Sequence, residues 1–156
     1  MKTARRPLLI ALVPAALLCV LLPAGWYFLQ PLPFPSLDRC ARIEATYTQL
    51  SPGLIETDSA TLLPASSQWE EVGDLLRGSS YRRCWDTLLG STSTGSLGPC
   101  IVILYGYSQS GELLLDLTIT SGRQILVNGR VYRMDREGAG SAGALAQSLA
   151  RTMGFS

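Results

Sequence analysis

A stretch without a charged side chain, from Pro7 to Ser36, constrains the fold of this chain more than any other feature. Residues 7–28 are mostly apolar, and as a helix that rises about 1.5 Å per residue they would span roughly 33 Å. The hydrocarbon core of a bilayer is about 30 Å thick, so a helix of this length can cross it. We therefore predict a transmembrane helix at residues 7–29.

The residues that flank this stretch indicate its orientation. Lys2, Arg5 and Arg6 precede it, and all twelve acidic residues follow it. Basic flanks stay on the cytoplasmic side, whereas aromatic residues such as Trp26 and Tyr27 collect at the membrane surface. We predict that these five residues lie at the membrane interfaces and that the lipid bilayer is itself a partner. Residues 1–6 would then be cytoplasmic, and the C-terminal domain would lie outside the cell membrane.

Two alternatives to a simple membrane-anchored binding protein remain open. A signal peptide would share the basic start, but its apolar core usually has about 7–15 residues and ends at a small-x-small cleavage site. Residues 23–25, Pro-Ala-Gly, offer a weak site of that kind, and cleavage there would yield a secreted protein. In the second alternative the chain is a subunit or assembly factor of a membrane complex. Its span would contact partners through the small residues Ala15, Ala16 and Gly25.

The remainder of the chain suits one extracytoplasmic domain. Residues 31–35, Pro-Leu-Pro-Phe-Pro, cannot continue a helix because proline lacks the backbone donor and fixes φ, so residues 30–37 are predicted to form a stiff stalk. Residues 38–156 match the usual size of a single compact core. Their ten arginines and twelve acids nearly balance, which argues against a nucleic-acid partner, since such partners select a strongly basic surface.

Local patterns predict the elements of this domain. Ser67-Gln68-Trp69-Glu70 is typical of a capping box at a helix start, and Gly78 is placed to end that helix. Apolar and polar residues alternate from Leu113 to Thr120, which predicts a strand with one buried face. The remaining predictions are two strands around a turn at 51–53, a helix at 67–77, a strand at 81–89, a Ser/Thr/Gly loop at 90–99, a central strand at 100–105 covered on both faces, and a helix at 141–153.

Asn128-Gly129 is the clearest local signal, because a two-residue type I′ turn needs positive φ at both central residues. For the preceding strand to share the buried face of this hairpin, the loop between them must have an odd length, such as residues 121–123. The predicted register pairs Val127 with Arg130, Ile125 with Tyr132, Leu117 with Val127, and Ile119 with Ile125. Together the elements predict an α+β fold, in which the transmembrane helix is followed by a mostly antiparallel meander sheet of four to six strands with two helices packed on it.

The composition excludes the commonest catalytic and metal chemistry. The chain has no histidine, which is the usual general base and the commonest metal ligand. Cys40, Cys84 and Cys100 form no Cys-x-x-Cys pair, so no zinc site is predicted. We predict no catalytic residue, no cofactor and no metal, and keep an enzyme that uses Cys84 or Cys100 as an alternative. In an oxidising exterior the three cysteines could form one disulfide, with its pairing left open, or none.

The order of a basic start, one apolar span, a helix, strands, the hairpin sequence Asn-Gly-Arg-Val-Tyr-Arg at 128–133 and a C-terminal helix resembles a loose group of bacterial proteins. These are small, uncharacterised membrane-anchored or exported proteins of clostridial-type bacteria, and the resemblance carries over no activity and no site residue. We therefore expect a single-pass membrane protein without enzymatic activity. Its small extracytoplasmic domain would bind a protein, peptide or envelope component through its sheet or its 90–99 loop.

Overall fold

The computed structural model describes residues 5–95, 98–134 and 141–155. The chain divides between residues 30 and 31 into two compact units. The first unit is the helix α1, Arg5–Leu29, whose described side chains begin at Leu17. No helix in the described residues is both long and apolar enough to cross a membrane, so the structure does not show the transmembrane helix predicted at 7–29.

The second unit is an α+β domain built on one six-stranded sheet. Its elements, in chain order, are β1 (Leu32–Pro33), β2 (Arg42–Ser51), β3 (Leu54–Leu62), α2 (Ser67–Arg77), β4 (Ser80–Tyr81), α3 (Trp85–Leu89), β5 (Cys100–Tyr107), β6 (Leu113–Thr120), β7 (Gln124–Val127), β8 (Arg130–Arg133) and α4 (Ala142–Thr152). The sheet has the order β3-β2-β5-β6-β7-β8, and β1 pairs with β4 separately. Every pairing is antiparallel, and β5 to β8 form a meander. The predicted fold class is confirmed in these respects.

Both predicted hairpins are present. A two-residue turn, Pro52-Gly53, joins β2 to β3 with Ser51 opposite Leu54. Asn128 and Gly129 have φ angles of 49° and 72°, as a type I′ turn requires. Residues 121–123 separate β6 from β7, so the loop has an odd length. The register is the predicted one, with Val127 opposite Arg130, Ile125 opposite Tyr132, Leu117 opposite Val127, and Ile119 opposite Ile125.

Two helices cover one face of this sheet. Ser66 caps α2 by accepting a hydrogen bond from the Trp69 amide, and it lies one residue before the predicted capping residue, Ser67. Ser141 caps α4 in the same way, and α4 packs on β5, β6 and α2. The core between helices and sheet is apolar, and its most deeply buried members include Ile43, Val72, Leu104, Leu117, Ile125 and Leu149.

Of the segment predicted as a stalk at 30–37, residues 31–37 belong to the second unit and pack within it. It is extended, as its prolines require, but β1 pairs with β4 so that Leu32 lies opposite Tyr81. Phe34 and Leu37 are buried, and the ring centroids of Phe34 and Tyr81 are 4.9 Å apart. The segment predicted as a stalk is therefore part of the core, because its apolar side chains gain more from burial than from exposure to water.

The strand predicted at 81–89 does not form. Tyr81 ends β4, and the chain turns into the short helix α3 with Cys84 at its N-cap. Gly90 ends the helix with a φ of 71°, a conformation that glycine adopts without steric cost. The residue types favour a strand, but the tertiary contacts of this segment select a helix.

Candidate functional site

The sheet face opposite α2 and α4 is the candidate functional surface. Along β5 the residues alternate between buried positions on the helix side and half-buried positions on the other side. The strand is central, as predicted, because it lies between β2 and β6, but only one of its faces is fully covered. We call the other surface the open face, and it comprises Thr46, Thr48, Ile101, Ile103, Tyr105, Tyr107, Asp116 and Thr118.

The middle of the open face combines apolar side chains with hydroxyl groups. Ile103 lies between Thr46 of β2 and Thr118 of β6. Further out, the Thr48 and Thr57 hydroxyl oxygens are 3.3 Å apart. A threonine hydroxyl can both donate and accept hydrogen bonds. This surface therefore offers a partner apolar contact area with adaptable polar groups beside it.

One end of the open face is charged. Tyr105 lies between Glu44 and Asp116 on the neighbouring strands. Arg42 Nε is 3.2 Å from Glu44 Oε1, and the Arg42 guanidinium carbon is 4.6 Å from the centroid of the Tyr107 ring. Arg42 thus compensates Glu44, whereas Asp116 forms no ion pair within the residues described.

The helix α3 lies over the other end of this face, against β7 and β8. The Thr87 side chain is buried, and its hydroxyl donates a hydrogen bond to the Val131 carbonyl. The same hydroxyl accepts a hydrogen bond from the Cys84 amide at 2.9 Å. Asp86 Oδ2 accepts one from Gln124 Nε2 at 2.7 Å. These bonds fix α3 to the sheet through one side of the helix.

The loop predicted at 90–99 is bonded to the sheet at both of its described ends. The Val131 amide donates to the Ser91 carbonyl at 3.2 Å, and the Gly95 amide donates to Gln124 Oε1 at 3.0 Å. Near the end of the loop, the Leu50 amide donates to the Pro99 carbonyl at 2.8 Å. Residues 96 and 97 lie outside the described part of the chain.

The exposed side of α3 carries three large apolar side chains, which we call the α3 patch. Trp85, Leu88 and Leu89 are 68%, 55% and 76% exposed. Their spacing of three and four residues places them on one side of a helix. Single exposed apolar residues are common, but a contiguous group on a fixed element is typical of an interaction surface. Tryptophan is also enriched among the residues that dominate binding energy at protein interfaces.

The three cysteines considered for a disulfide lie apart and carry free thiols. Cys40 is buried beside Gly106 of β5. Cys100 begins β5 and is therefore roughly 20 Å from Gly106, at about 3.4 Å per residue. Cys84 lies near the Val131 carbonyl of the edge strand β8, and β6 and β7 separate that strand from β5. A disulfide requires Cα atoms within about 7 Å of each other, so the structure brings no two of these cysteines together.

The arrangement around these thiols does not build a nucleophilic site. Cys84 Sγ lies 3.4 Å from Thr87 Oγ1 and 3.9 Å from Asp86 Oδ2, and the chain has no histidine, the usual base that activates a catalytic thiol. Cys100 is buried. Burial raises the pKa of the Cys40 thiol, with a smaller opposing effect of Arg39, and a raised pKa lowers the fraction of reactive thiolate.

The described residues contain no group of three metal-ligating side chains placed to hold an ion. A pocket of about 440 Å³ lies where the C-terminal ends of α2 and α4 meet. Its lining consists of Glu71, Asp74, Leu75, Gly78, Ser79 and Thr152. Two acids line the pocket, and the charge of one of them, Asp74, is compensated by an ion pair with Arg77.

The residues predicted at the membrane interfaces are described only in part. Trp26 and Tyr27 lie near the end of α1 and are 71% and 37% exposed. Lys2 and the side chains of Arg5 and Arg6 lie outside the described residues.

No protein-family model matches this chain, and neither a curated protein nor a solved structure matches it. The resemblance to small membrane-anchored or exported proteins of clostridial-type bacteria therefore stays a prediction.

Sequence reasoning missed the α3 patch because it assigned residues 81–89 to a strand. The signal for a helix was present. Cys84 and Thr87 have the spacing of an N-cap and its third residue, Asp86 lies in the first turn, and acidic residues favour that position. Gly90 marks the end. Because the segment is so short, this pattern predicts a helix only when the tertiary contacts of Thr87 are also known.

Proposed function

We propose that this protein is a membrane-tethered binding protein without enzymatic activity, whose second unit recognises a protein partner through the α3 patch and the adjoining open face. The observation that carries this proposal is the exposure of Trp85, Leu88 and Leu89 on a helix whose other side is held by hydrogen bonds of Asp86 and Thr87. Large apolar side chains that are exposed on a fixed support gain free energy when a partner covers them.

The size of that gain supports a specific contact. Complete burial of a leucine-sized side chain stabilises by about 1.5–3 kcal/mol, and the α3 patch has three such groups. Because α3 is already fixed on the sheet, its backbone loses little conformational freedom on binding. The hydroxyls of the open face and the carboxylate of Asp116 supply the polar surroundings that typically ring an apolar interface centre.

The proposed tether is α1. Support comes from the absence of charge between Pro7 and Ser36, from the basic residues that precede this stretch, and from Trp26 and Tyr27 near the end of α1. Most of the described apolar side chains of α1 are exposed, and the exposed fractions of Leu17, Leu18, Val20, Leu21 and Leu22 range from 54% to 68%. In this proposal the protein crosses the cell membrane once, with its N-terminus in the cytoplasm and its α+β domain outside.

A second candidate function is a subunit or assembly factor of a membrane complex. The exposed apolar side chains of α1 favour it, and so does Gly25, where an added Cβ would meet no atom within 4 Å. Small residues let helices approach closely in a membrane. The two candidates differ in which unit contacts the partner. A secreted form, cleaved near 23–25, would lack most of α1, whereas both candidate functions need the uncleaved chain. The intact mass of the protein from the membrane fraction shows whether α1 is retained.

The experiment compares two leucine substitutions in the full-length chain. Leu88→Ser removes one member of the α3 patch, and Leu63→Ser is the matched control because Leu63 is 56% exposed and Leu88 is 55% exposed. Each variant is purified in mild detergent from the cells that naturally produce the protein, and co-purifying proteins are quantified against the unmodified chain.

We expect a partner that is retained by the unmodified chain and by Leu63→Ser and is depleted about tenfold or more by Leu88→Ser, since loss of one buried leucine contact is worth more than about 1.4 kcal/mol. Equal recovery with both variants would contradict a role for the α3 patch. A partner lost only when α1 is replaced by an unrelated apolar helix would favour the second candidate. Steady turnover of a substrate by the purified chain would contradict the non-enzymatic assignment.

A further inference from the structure

The two edges of the six-stranded sheet are built differently. The edge strand β8 has four residues, and it begins and ends with arginine, at Arg130 and Arg133. Its Val131 carbonyl and amide are bonded to Thr87 and Ser91, and Arg82 forms an antiparallel bridge with Arg133. Short length, arginines and a covering segment are the devices by which proteins keep an edge strand from pairing with another chain.

Within the part of the chain that the structure describes, the opposite edge, β3, has none of these devices. It runs for nine residues, Leu54–Leu62, and pairs with β2 without a register shift. Its sequence, Leu-Ile-Glu-Thr-Asp-Ser-Ala-Thr-Leu, contains no proline and no basic residue. Residues 54–59 are all exposed. A long, regular, exposed edge is a template for an additional strand.

The hydrogen bonding of β2 shows which backbone groups of β3 point outward. The Leu50 amide donates to Pro99 on the β5 side, so it points away from its β3 neighbour, Ile55. Hydrogen-bonded and non-bonded pairs alternate along an antiparallel ladder. It follows that the outward amides and carbonyls of β3 belong to the odd-numbered residues Ile55, Thr57, Ser59 and Thr61. They are spaced about 7 Å apart and span roughly 20 Å.

The charge on this edge indicates what can occupy it. Glu56 and Asp58 are two residues apart, so their carboxylates lie on the same face of β3, about 7 Å from each other. Two copies of β3 that paired around the middle of the strand would set acid opposite acid, and directly opposed like charges destabilise a sheet. A strand with basic residues at alternate positions would instead place opposite charges across the new ladder.

We propose that the β3 edge binds an extended protein segment by strand addition, and that the segment carries lysine or arginine at alternate positions opposite Glu56 and Asp58. The outward backbone groups of residues 55, 57, 59 and 61 form the ladder, and the two carboxylates select a basic strand. This is the β-augmentation mode of peptide recognition. It uses a different edge from the α3 patch and stands whether or not the α3 patch binds its own partner.

The probe is a synthetic nonapeptide of alternating lysine and valine, labelled for fluorescence anisotropy and titrated with the full-length chain in detergent. Two control peptides accompany it, one with glutamate in place of lysine and one with alternate backbone amides methylated. Ser59→Pro removes one outward donor, and proline is tolerated at edge positions whose amide faces away from the ladder. Ser59→Thr is the matched control that keeps the donor.

We expect the lysine peptide to bind and both control peptides to fail. Ser59→Pro should weaken binding about tenfold or more, as loss of a hydrogen bond and steric interference together predict. Ser59→Thr and Leu88→Ser should leave binding unchanged, whereas Glu56→Gln combined with Asp58→Asn should weaken it and reduce its dependence on salt.

Four results would overturn the proposal. The lysine peptide could fail to bind, or it could bind equally well when its amides are methylated. Both of these results come from the unmodified chain and so do not depend on the folding of a variant. Binding could be lost in Leu88→Ser, which would move the peptide to the α3 patch and leave the proposed function standing. The unmodified chain could instead form a dimer that Ser59→Pro dissociates, which would assign the edge to a second copy.

Discussion

Thr87 fixes α3 to the sheet, and its replacement by valine tests how firmly the α3 patch is held. Valine keeps the branched shape of threonine and removes only the hydroxyl. That hydroxyl bonds the Val131 carbonyl and the Cys84 amide in a side chain that is only 7% exposed. Each such bond contributes about 1 kcal/mol net, and a buried group left without a partner costs about 1–3 kcal/mol. We expect Thr87→Val to destabilise the second unit by about 2 kcal/mol.

Urea unfolding at a constant detergent concentration measures this change in the free energy of unfolding, and amide hydrogen exchange shows where in the second unit the change occurs. If the loss is local, amides around α3 and at Val131 should exchange faster while those of β5 and β6 keep their protection. Thr48→Val is the matched control, because within the described residues the hydrogen-bond contact of the Thr48 hydroxyl is with the exposed Thr57 at 3.3 Å, and its loss should cost under about 0.5 kcal/mol. Equal destabilisation by the two substitutions would refute the claim that buried hydrogen bonds of Thr87 hold α3 in place.

Two further predictions test the packing of the second unit. A Cβ at Gly106 would lie 2.7 Å from Cys40 Sγ and 3.0 Å from Leu115 Cβ, so Gly106→Ala should destabilise the second unit by about 1–3 kcal/mol. Adding Cys40→Ala should restore part of the lost free energy of unfolding, measured in urea. Strictly additive effects of the two substitutions would contradict the close contact. Burial, with a smaller effect of Tyr132 that outweighs Arg83, raises the pKa of Tyr81 to about 12, above an unfolded value of about 10. The folded state therefore holds this proton more tightly, and the contribution of Tyr81 to stability should be constant below about pH 10 and be lost between about pH 10 and 12. Tyr81→Phe should flatten this fall, and an unchanged pH profile would contradict the assignment.

Much of the sheet could be predicted because its determinants are local. Asn128 and Gly129 accept positive φ at neighbouring positions, and that property alone fixes the turn and the pairing of β7 with β8. The parity of the loop at 121–123 then fixes which face of β6 is buried. In the same way Ser141 and the apolar stripe behind it define α4, since a cap and a helical period are encoded within a few residues.

The candidate site was harder to predict because it depends on contacts between distant residues. Thr87 and Val131 are far apart in sequence, and their hydrogen bond decides that 85–89 is a helix and that Trp85 faces water. A strand and a short helix have similar local free energies for these residue types, so the tertiary contact selects between them. The sequence offered the 90–99 loop and the sheet as binding surfaces, but not α3.

The sequence by itself determined the two hairpins, the register of β6 to β8, the helices α2 and α4 and a charge-free stretch at the N-terminus, because each depends on the backbone preference or hydrophobic period of neighbouring residues. Only the tertiary structure decided that β5 has one open face, that Phe34 and Leu37 join the core, and that β3 rather than β8 ends the sheet with a free edge. Those features depend on which segment covers which surface. Coverage is settled by burial and hydrogen bonding summed over the whole domain, which no short stretch of sequence encodes.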